Sequence, residues 1–272
     1  MCDFSPPRGA DLDVLERARG IDADYICVAY NPGKAVRVDS AMLASGIKHR
    51  AGKDVVFNLG TRDMNKLALQ SHLLGAQMMG LENVIVVKGD DFVEKDLSRV
   101  KAVSDFSPTG LVRSMGDMNR GSDFREAKLR APTDLCIGAS IDLGRGIKAE
   151  AALTHRKASA GAQFFITQPV FSASEITAFR EAYRAASGEE LAQPVFFGLQ
   201  VMVKDGVIFS GVPKAFRDDL DKGRSGVEIA LQVLQEFLNF GINTIYLVPP
   251  ILRGGARDYE AAQSVLEGIR GR

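Results

Sequence analysis

No excess of either charge marks this chain: Lys plus Arg and Asp plus Glu each number 34. Without a net positive field or a long polybasic run, nucleic acid and anionic membrane surfaces are disfavoured as partners. Cysteine is scarce. The three present, Cys2, Cys27 and Cys136, are widely spaced, with no Cys-x-x-Cys and no paired histidines nearby, which argues against a disulfide framework or a zinc site. Cys27 and Cys136 lie inside apolar runs, where a reduced, buried, inert thiol is the default. No apolar stretch approaches the roughly 18 residues of a membrane span, and the first residues lack a signal peptide's apolar core. A soluble, cytoplasmic protein is the expectation. Signatures of nucleophilic catalysis are missing too. There is no Gly-x-Ser-x-Gly elbow, and His49, His72 and His155 fall in helix-like segments rather than at strand ends, so a nucleophile would lack its base.

Short apolar runs are plentiful, and they repeatedly end in a polar side chain. Eight read as strands: Cys2–Phe4, Asp24–Tyr30, Asp54–Leu59, Asn83–Lys88, Leu135–Ile141, Gln163–Gln168, Pro194–Gln200 and Asn243–Val248. Runs apolar on both faces suit a covered parallel sheet. Helical patterns follow them at Ala10–Arg19, Ser40–Arg50, Met64–Met79, Leu111–Met115, Lys148–Ala160, Ala173–Ala186, Gly226–Asn239 and Asp258–Glu267. Strict alternation implies right-handed parallel crossovers. Eight such units in 272 residues predict an α/β fold: one (β/α)₈ TIM barrel, a single domain over 1–272. The runner-up is an open doubly wound sheet, though the first strand lacks the Gly-x-Gly-x-x-Gly turn that often accompanies one. Gly80, Gly161 and Gly241 stand where helices must stop, and Pro6-Pro7 bars the first strand from continuing. Two connections, 91–134 and 201–225, are unusually long and are candidate lids.

In a barrel of this kind the chemistry gathers at the strands' carboxyl ends. Asp3, Asn58, Asp90, Gln168 and Gln200 would all project there, a ring suited to hydrogen-bonding a planar polar ligand. Taken singly, each reads more readily as a surface loop residue or a helix cap, as Asp91 does before a helix; five at corresponding positions are harder to dismiss. On the helix Lys148–Ala160, the residues Glu150, Leu153, Arg156 and Lys157 fall on or near one face, where a phosphate could pair with Arg156 and Lys157. The preceding Asp142-Leu143-Gly144-Arg145-Gly146 could turn backbone N–H groups toward an anion. Lys88 is a weak Schiff-base candidate. With so little acid–base equipment, binding or cofactor-borne chemistry is the expected task.

Three segments carry a specific resemblance. Thr61-Arg62-Asp63-Met64-Asn65-Lys66 continues through Gly80-Leu81-Glu82-Asn83-Val84 to Lys88-Gly89-Asp90. The second is Lys157-Ala158-Ser159-Ala160-Gly161-Ala162-Gln163-Phe164-Phe165-Ile166-Thr167-Gln168, and the third is the opening Asp3-Phe4-Ser5-Pro6-Pro7-Arg8. In order and spacing they resemble the methylenetetrahydrofolate reductase family. That resemblance implies a flavin-bearing (β/α)₈ barrel that moves hydride from NADH or NADPH through FAD to 5,10-methylenetetrahydrofolate, making 5-methyltetrahydrofolate. This is one-carbon metabolism of the kind that feeds methionine biosynthesis. It implies that Asp90 binds the pterin and stabilises its cationic iminium, and that Gln168, with Gln200, contacts folate. Asp3 stands where the family has a glutamate general acid, and Tyr30, Asn58, Lys88, Gly89, Asp90, Glu150, Arg156 and Lys157 stand where FAD is held. The implied partners are tetrahydrofolate derivatives, with homo-oligomerisation left open.

There are departures. Asp3 is one methylene shorter than glutamate, Ala29 stands for Thr, Asn58 for His, and Leu153 for a polar contact. A divergent member, with a bias toward oxidising methyltetrahydrofolate in one-carbon catabolism, is therefore expected. The alternatives kept open are a flavin-free barrel passing hydride directly between nicotinamide and folate, a non-catalytic folate-binding partner subunit, and a barrel lyase or aldolase unrelated to folate.

Overall fold

The computed structural model describes residues 1–209 and 211–270. Positions 210, 271 and 272, which fall within the expected 201–225 loop and the expected 1–272 domain, lie outside the described residues. Eight parallel strands close in chain order: β1 (Cys2–Phe4), β2 (Ile26–Val28), β3 (Val55–Gly60), β4 (Asn83–Val87), β5 (Cys136–Ile141), β6 (Phe164–Pro169), β7 (Val195–Gln200) and β8 (Ile245–Val248). The seam is the pair Cys2 and Leu247. Outside run α1 (Asp13–Arg19), α2 (Ser40–Gly46), α3 (Lys66–Met78), α4 (Glu94–Leu97), α5 (Pro108–Asn119), α6 (Ile147–Ser159), α7 (Ala173–Ser187), α8 (Lys214–Asp221), α9 (Gly226–Asn239) and α10 (Tyr259–Arg270). This is a (β/α)₈ barrel. Among the described residues no helix is long and apolar enough to cross a membrane.

Successive strand residues point to opposite faces, and two apolar cores result. Phe4, Val28, Phe57, Leu59, Val84, Val86, Phe165 and Leu199 face outward under the helices. Cys27, Val56, Ile85, Phe164, Ile166, Tyr246 and Val248 fill the barrel's interior. Asp3, Asn58, Ser140, Gln168 and Gln200 share the inward phase, so the same alternation that buries the core carries them to its upper end. Cys27 is fully buried, and burial followed by the nearby Asp3 charge pushes its thiol up to about 12. Cys136, expected to be buried, is only half-buried.

Several element boundaries differ from the sequence reading. Strand β2 is Ile26–Val28 rather than Asp24–Tyr30, and α1 starts at Asp13 rather than Ala10. The five-residue pattern expected at Leu111–Met115 is the middle of α5. That helix opens at a Ser107 cap, with Pro108 at its first position and the Ser107 hydroxyl accepting from Gly110 N, a favoured start because proline lacks the N–H a first turn leaves unpaired. The last turn expected of Ser40–Arg50 is a π-turn, Ile47–Ala51. Both long connections hold a helix that no pattern announced, α4 and α8. The three glycines expected to stop helices, Gly80, Gly161 and Gly241, all have positive φ.

Candidate functional site

A cavity of about 710 Å³ opens at the carboxyl ends of the strands, within the usual range of roughly 300–1,000 Å³ for small-molecule sites. Asp3, Tyr30, Asn58, Lys88, Gly89, Asp90 and Gln168 all line it. A smaller cavity of about 230 Å³, between Phe179, Arg180 and the starts of β7 and β8, contains none of the expected residues. Of the two long connections, 201–225 gives the mouth Val207 and Phe209, whereas 91–134 contributes no lining residue.

At the floor lies Asp3, which is 4% exposed. Its Oδ1 accepts from the Tyr246 hydroxyl at 2.8 Å and its Oδ2 from Arg257 Nε at 3.2 Å. Both oxygens are engaged, so in this arrangement Asp3 is an acceptor. Burial and then the Asp3 charge push the Tyr246 phenol well above its ordinary value, so the proton stays on the phenol. Tyr259 completes the corner by accepting from Ser5 N at 3.0 Å and stacking on Phe4 with centroids 4.8 Å apart. Tyr246 and Arg257 are site residues that sequence reading missed. The inward phase that Tyr246 shares with Val248 could have revealed the first; nothing local marks Arg257.

Asp90 is held from behind. Buried Arg62 donates to Asp63 through Nε and Nη2, at 2.6 and 2.7 Å, and through Nη1 to the Asp90 carbonyl. The guanidinium also lies 4.1 Å over the Phe92 ring. Tyr30 donates to Asp63 Oδ2 at 2.8 Å. Its ring lies against Gly60, where an added Cβ would come within 2.3 Å of it, so only glycine ends β3 without displacing Tyr30. Burial would raise the Asp63 carboxyl, but the bonds from Arg62 and Tyr30 outweigh it and hold the group below its ordinary value. The Asp90 carboxylate itself makes no hydrogen bond or ion pair with the described residues, feels the nearby Arg62 charge, and lines the cavity. Asn58 donates to the Val28 carbonyl at 2.9 Å, leaving its Oδ1 free of any described donor.

Gln168 reaches the mouth through an irregularity in β6. The register shifts between Ile166 and Pro169, and a bulge of this kind re-aims a side chain. Gly198 on β7 permits it: a Cβ there would sit 2.7 Å from the Gln168 carbonyl. The exposed Gln168 amide has no partner among the described residues. Gln200, also expected to bind substrate, does not line the cavity. It is 2% exposed, and its amide is used by the following loop, donating to Val207 O at 3.0 Å and accepting from Phe209 N at 3.4 Å.

The family model described as methylenetetrahydrofolate reductase matches residues 2–249. The chain belongs to the methylenetetrahydrofolate reductase family. No curated protein matches it. Among solved structures, an uncharacterized protein from Clostridium thermocellum, described as binding two copies of 5-methyl-5,6,7,8-tetrahydrofolic acid, shares the fold. It aligns at TM-score 0.69 and 15% identity, covering 98% of this chain and 93% of that one. Arg257, which holds Asp3, lies beyond the residues matched by the methylenetetrahydrofolate reductase model.

Helix α6 does not present the face that sequence spacing suggested. Glu150 and Lys157 are 1% and 4% exposed and turn inward against one another, Nζ to Oε1 being 3.4 Å. Lys157 also donates to the Ser140 carbonyl, and burial lowers its pKa despite the pull of Glu150. Arg156, roughly 100° further round the helix, is exposed. No residue of α6 lines the cavity, so Arg156 and Lys157 do not form a joint phosphate clamp there; the cations that line it are Arg8, Arg37, Lys88, Arg145 and Arg257. Tyr30, Asn58, Lys88, Gly89 and Asp90, expected to hold FAD, line one cavity, whereas Glu150, Arg156 and Lys157 of α6 do not line it. The three histidines stay clear of the mouth, and among the described residues no cluster is arranged to hold a metal.

Proposed function

We propose that the barrel mouth binds a reduced folate and that the protein interconverts 5,10-methylenetetrahydrofolate and 5-methyltetrahydrofolate. One observation carries this reading: the Asp90 carboxylate and the Gln168 amide line the same cavity, and both have polar atoms that no described residue uses. An amide offers a donor and an acceptor together, matching the edge of a pterin. Opening the methylene bridge puts positive charge on the substrate, so a fixed carboxylate stabilises the transition state more than the ground state. The anchor from Arg62 to the Asp90 carbonyl fixes the loop, so the carboxylate need not reorganise as charge develops. The family membership supports the reading, as does the methyltetrahydrofolate bound by the Clostridium thermocellum protein.

Asp3 is our candidate for handling the proton at the cavity floor, where burial keeps it from bulk water. To act as a donor it must first take up a proton, from solvent in the cavity, on an oxygen released from its hydrogen bond to Tyr246 or to Arg257. FAD, when bound, would supply the hydride carrier between NADH or NADPH and the folate. A second reading, direct hydride transfer from nicotinamide to folate, is favoured by the inward turn of Glu150 and Lys157. Visible absorbance of the purified chain separates the two. Flavin absorbance, with FAD released on denaturation and bleaching on addition of 5-methyltetrahydrofolate, supports the first; a colourless chain that turns over with NADH or NADPH alone supports the second. A chain that neither binds nor converts 5-methyltetrahydrofolate contradicts both.

A further inference from the structure

We propose that Arg8, Arg37 and Arg257 form an anion subsite on the β8–β1–β2 side of the mouth, taking a carboxylate or phosphate group of the bound ligand. The three come from separate loops, after β1, after β2 and after β8, and all line the one cavity. In a chain of zero net charge the one carboxylate they face on this wall among the described residues is Asp3, which is paired with Arg257. Arg37 is half-buried and among the described residues bonds only to backbone carbonyls, donating to Pro6 O at 2.8 Å and Pro32 O at 3.4 Å. No acidic side chain among the described residues pairs with Arg37 or Arg8. Burial, then the neighbouring charges of Arg257 and Arg8, disfavour the charged Arg37. Converging guanidinium groups repel one another unless an anion lies between them, and the planar fork of arginine suits carboxylate and phosphate oxygens. A solitary exposed arginine would carry no such implication; a half-buried one without an acid, facing two more, does.

Two sources could supply the anion: the carboxylates of a folate's glutamate tail, an assignment that rests on the reading above, or the phosphates of a nicotinamide dinucleotide. The full chain, as wild type and as Arg8→Gln and Arg37→Gln, is titrated calorimetrically with 5-methyltetrahydrofolate, with 6-methyltetrahydropterin, which lacks the tail, and with NADH and NADPH. If the folate supplies the anion, each variant weakens 5-methyltetrahydrofolate by about tenfold, the effect of one lost charge-assisted hydrogen bond. The tailless pterin then binds as to wild type. If the dinucleotide supplies it, the loss moves to NADH and NADPH and the subsite stands. Arg37 ties two backbone carbonyls, so its variant can lose stability for structural reasons. Arg8 is exposed and bonds nothing among the described residues, so Arg8→Gln keeps the test decisive. Unchanged affinity for all four ligands in both variants, at wild-type melting temperature, overturns the subsite. Failure of wild type to bind either pterin compound overturns the folate reading and leaves the dinucleotide titration to decide the subsite; failure to bind any of the four overturns both.

Discussion

Replacing Arg257 with Met puts a number on the corner that closes the barrel floor. Arg257 and Asp3 are 8% and 6% exposed at their side chains and 3.2 Å apart. Removing one partner of a buried pair costs about 3–5 kcal/mol, because the other charge stays buried and uncompensated. Here Tyr246 still donates to Asp3 and the pair borders a water-accessible cavity, which places the cost near the lower end, about 3 kcal/mol. For a chain of this size, thermal unfolding should then fall by about 5–10 °C. Differential scanning calorimetry of Arg257→Met, Asp3→Asn and the double variant measures it. Asp3→Asn should also destabilise, and the double variant should recover more than about 1 kcal/mol relative to the sum of the singles, as coupled neighbours do. A shift under about 1 °C in Arg257→Met, or strict additivity, would refute the claim that this pair is a buried, coupled unit.

Other outcomes follow from the same geometry. Asp90→Asn removes a carboxylate that makes no hydrogen bond or ion pair with the described residues, so stability should change by no more than about 0.5 kcal/mol, while turnover of the folate falls about 10²–10³-fold; near-normal rates would remove Asp90 from the chemistry. Because Arg62 and Tyr30 hold the Asp63 carboxyl below its ordinary value, its contribution to stability is fully present above about pH 4 and is lost as pH falls through the lower folded-state value. Asp63→Asn should therefore flatten the acid limb of the stability curve; an unaltered limb would show that this network carries no pH dependence. Lys157→Ala should cost about 3–5 kcal/mol by stranding Glu150, whereas Arg156→Gln should leave both melting and FAD content as in wild type; loss of FAD in Arg156→Gln would restore α6 to the cofactor site.

How much of this was legible depended on how local each cause is. The barrel was, because eight apolar runs with interposed helical periodicity admit few other closures. The upper ring was legible in part: Asp3, Asn58 and Gln168 sit on inward-phase strand positions, and Asp90 follows β4 directly. Gln200 has the same phase but does not line the cavity, since its amide is taken by a loop that folds back seven to nine residues later, a tertiary event that no spacing encodes. Helical spacing puts Glu150, Leu153, Arg156 and Lys157 on or near one face, but the consecutive pair Arg156 and Lys157 diverges, and the buried Glu150 claims only Lys157. The short helices α4 and α8 hide in polar segments too brief for a periodic pattern. Arg37 and Arg257 reach the mouth from loops far apart in the chain, and only closure of β8 onto β1 brings them together.

A single ligand shared between Asp90 and Gln168 is tested most directly by the affinity of Gln168→Ala for 5-methyltetrahydrofolate. The exposed amide binds nothing in the described protein, so the fold and its melting temperature should be unchanged. Loss of its donor and acceptor should weaken binding by about ten- to thirtyfold. Wild-type affinity in that variant would contradict the placement of the folate at this mouth.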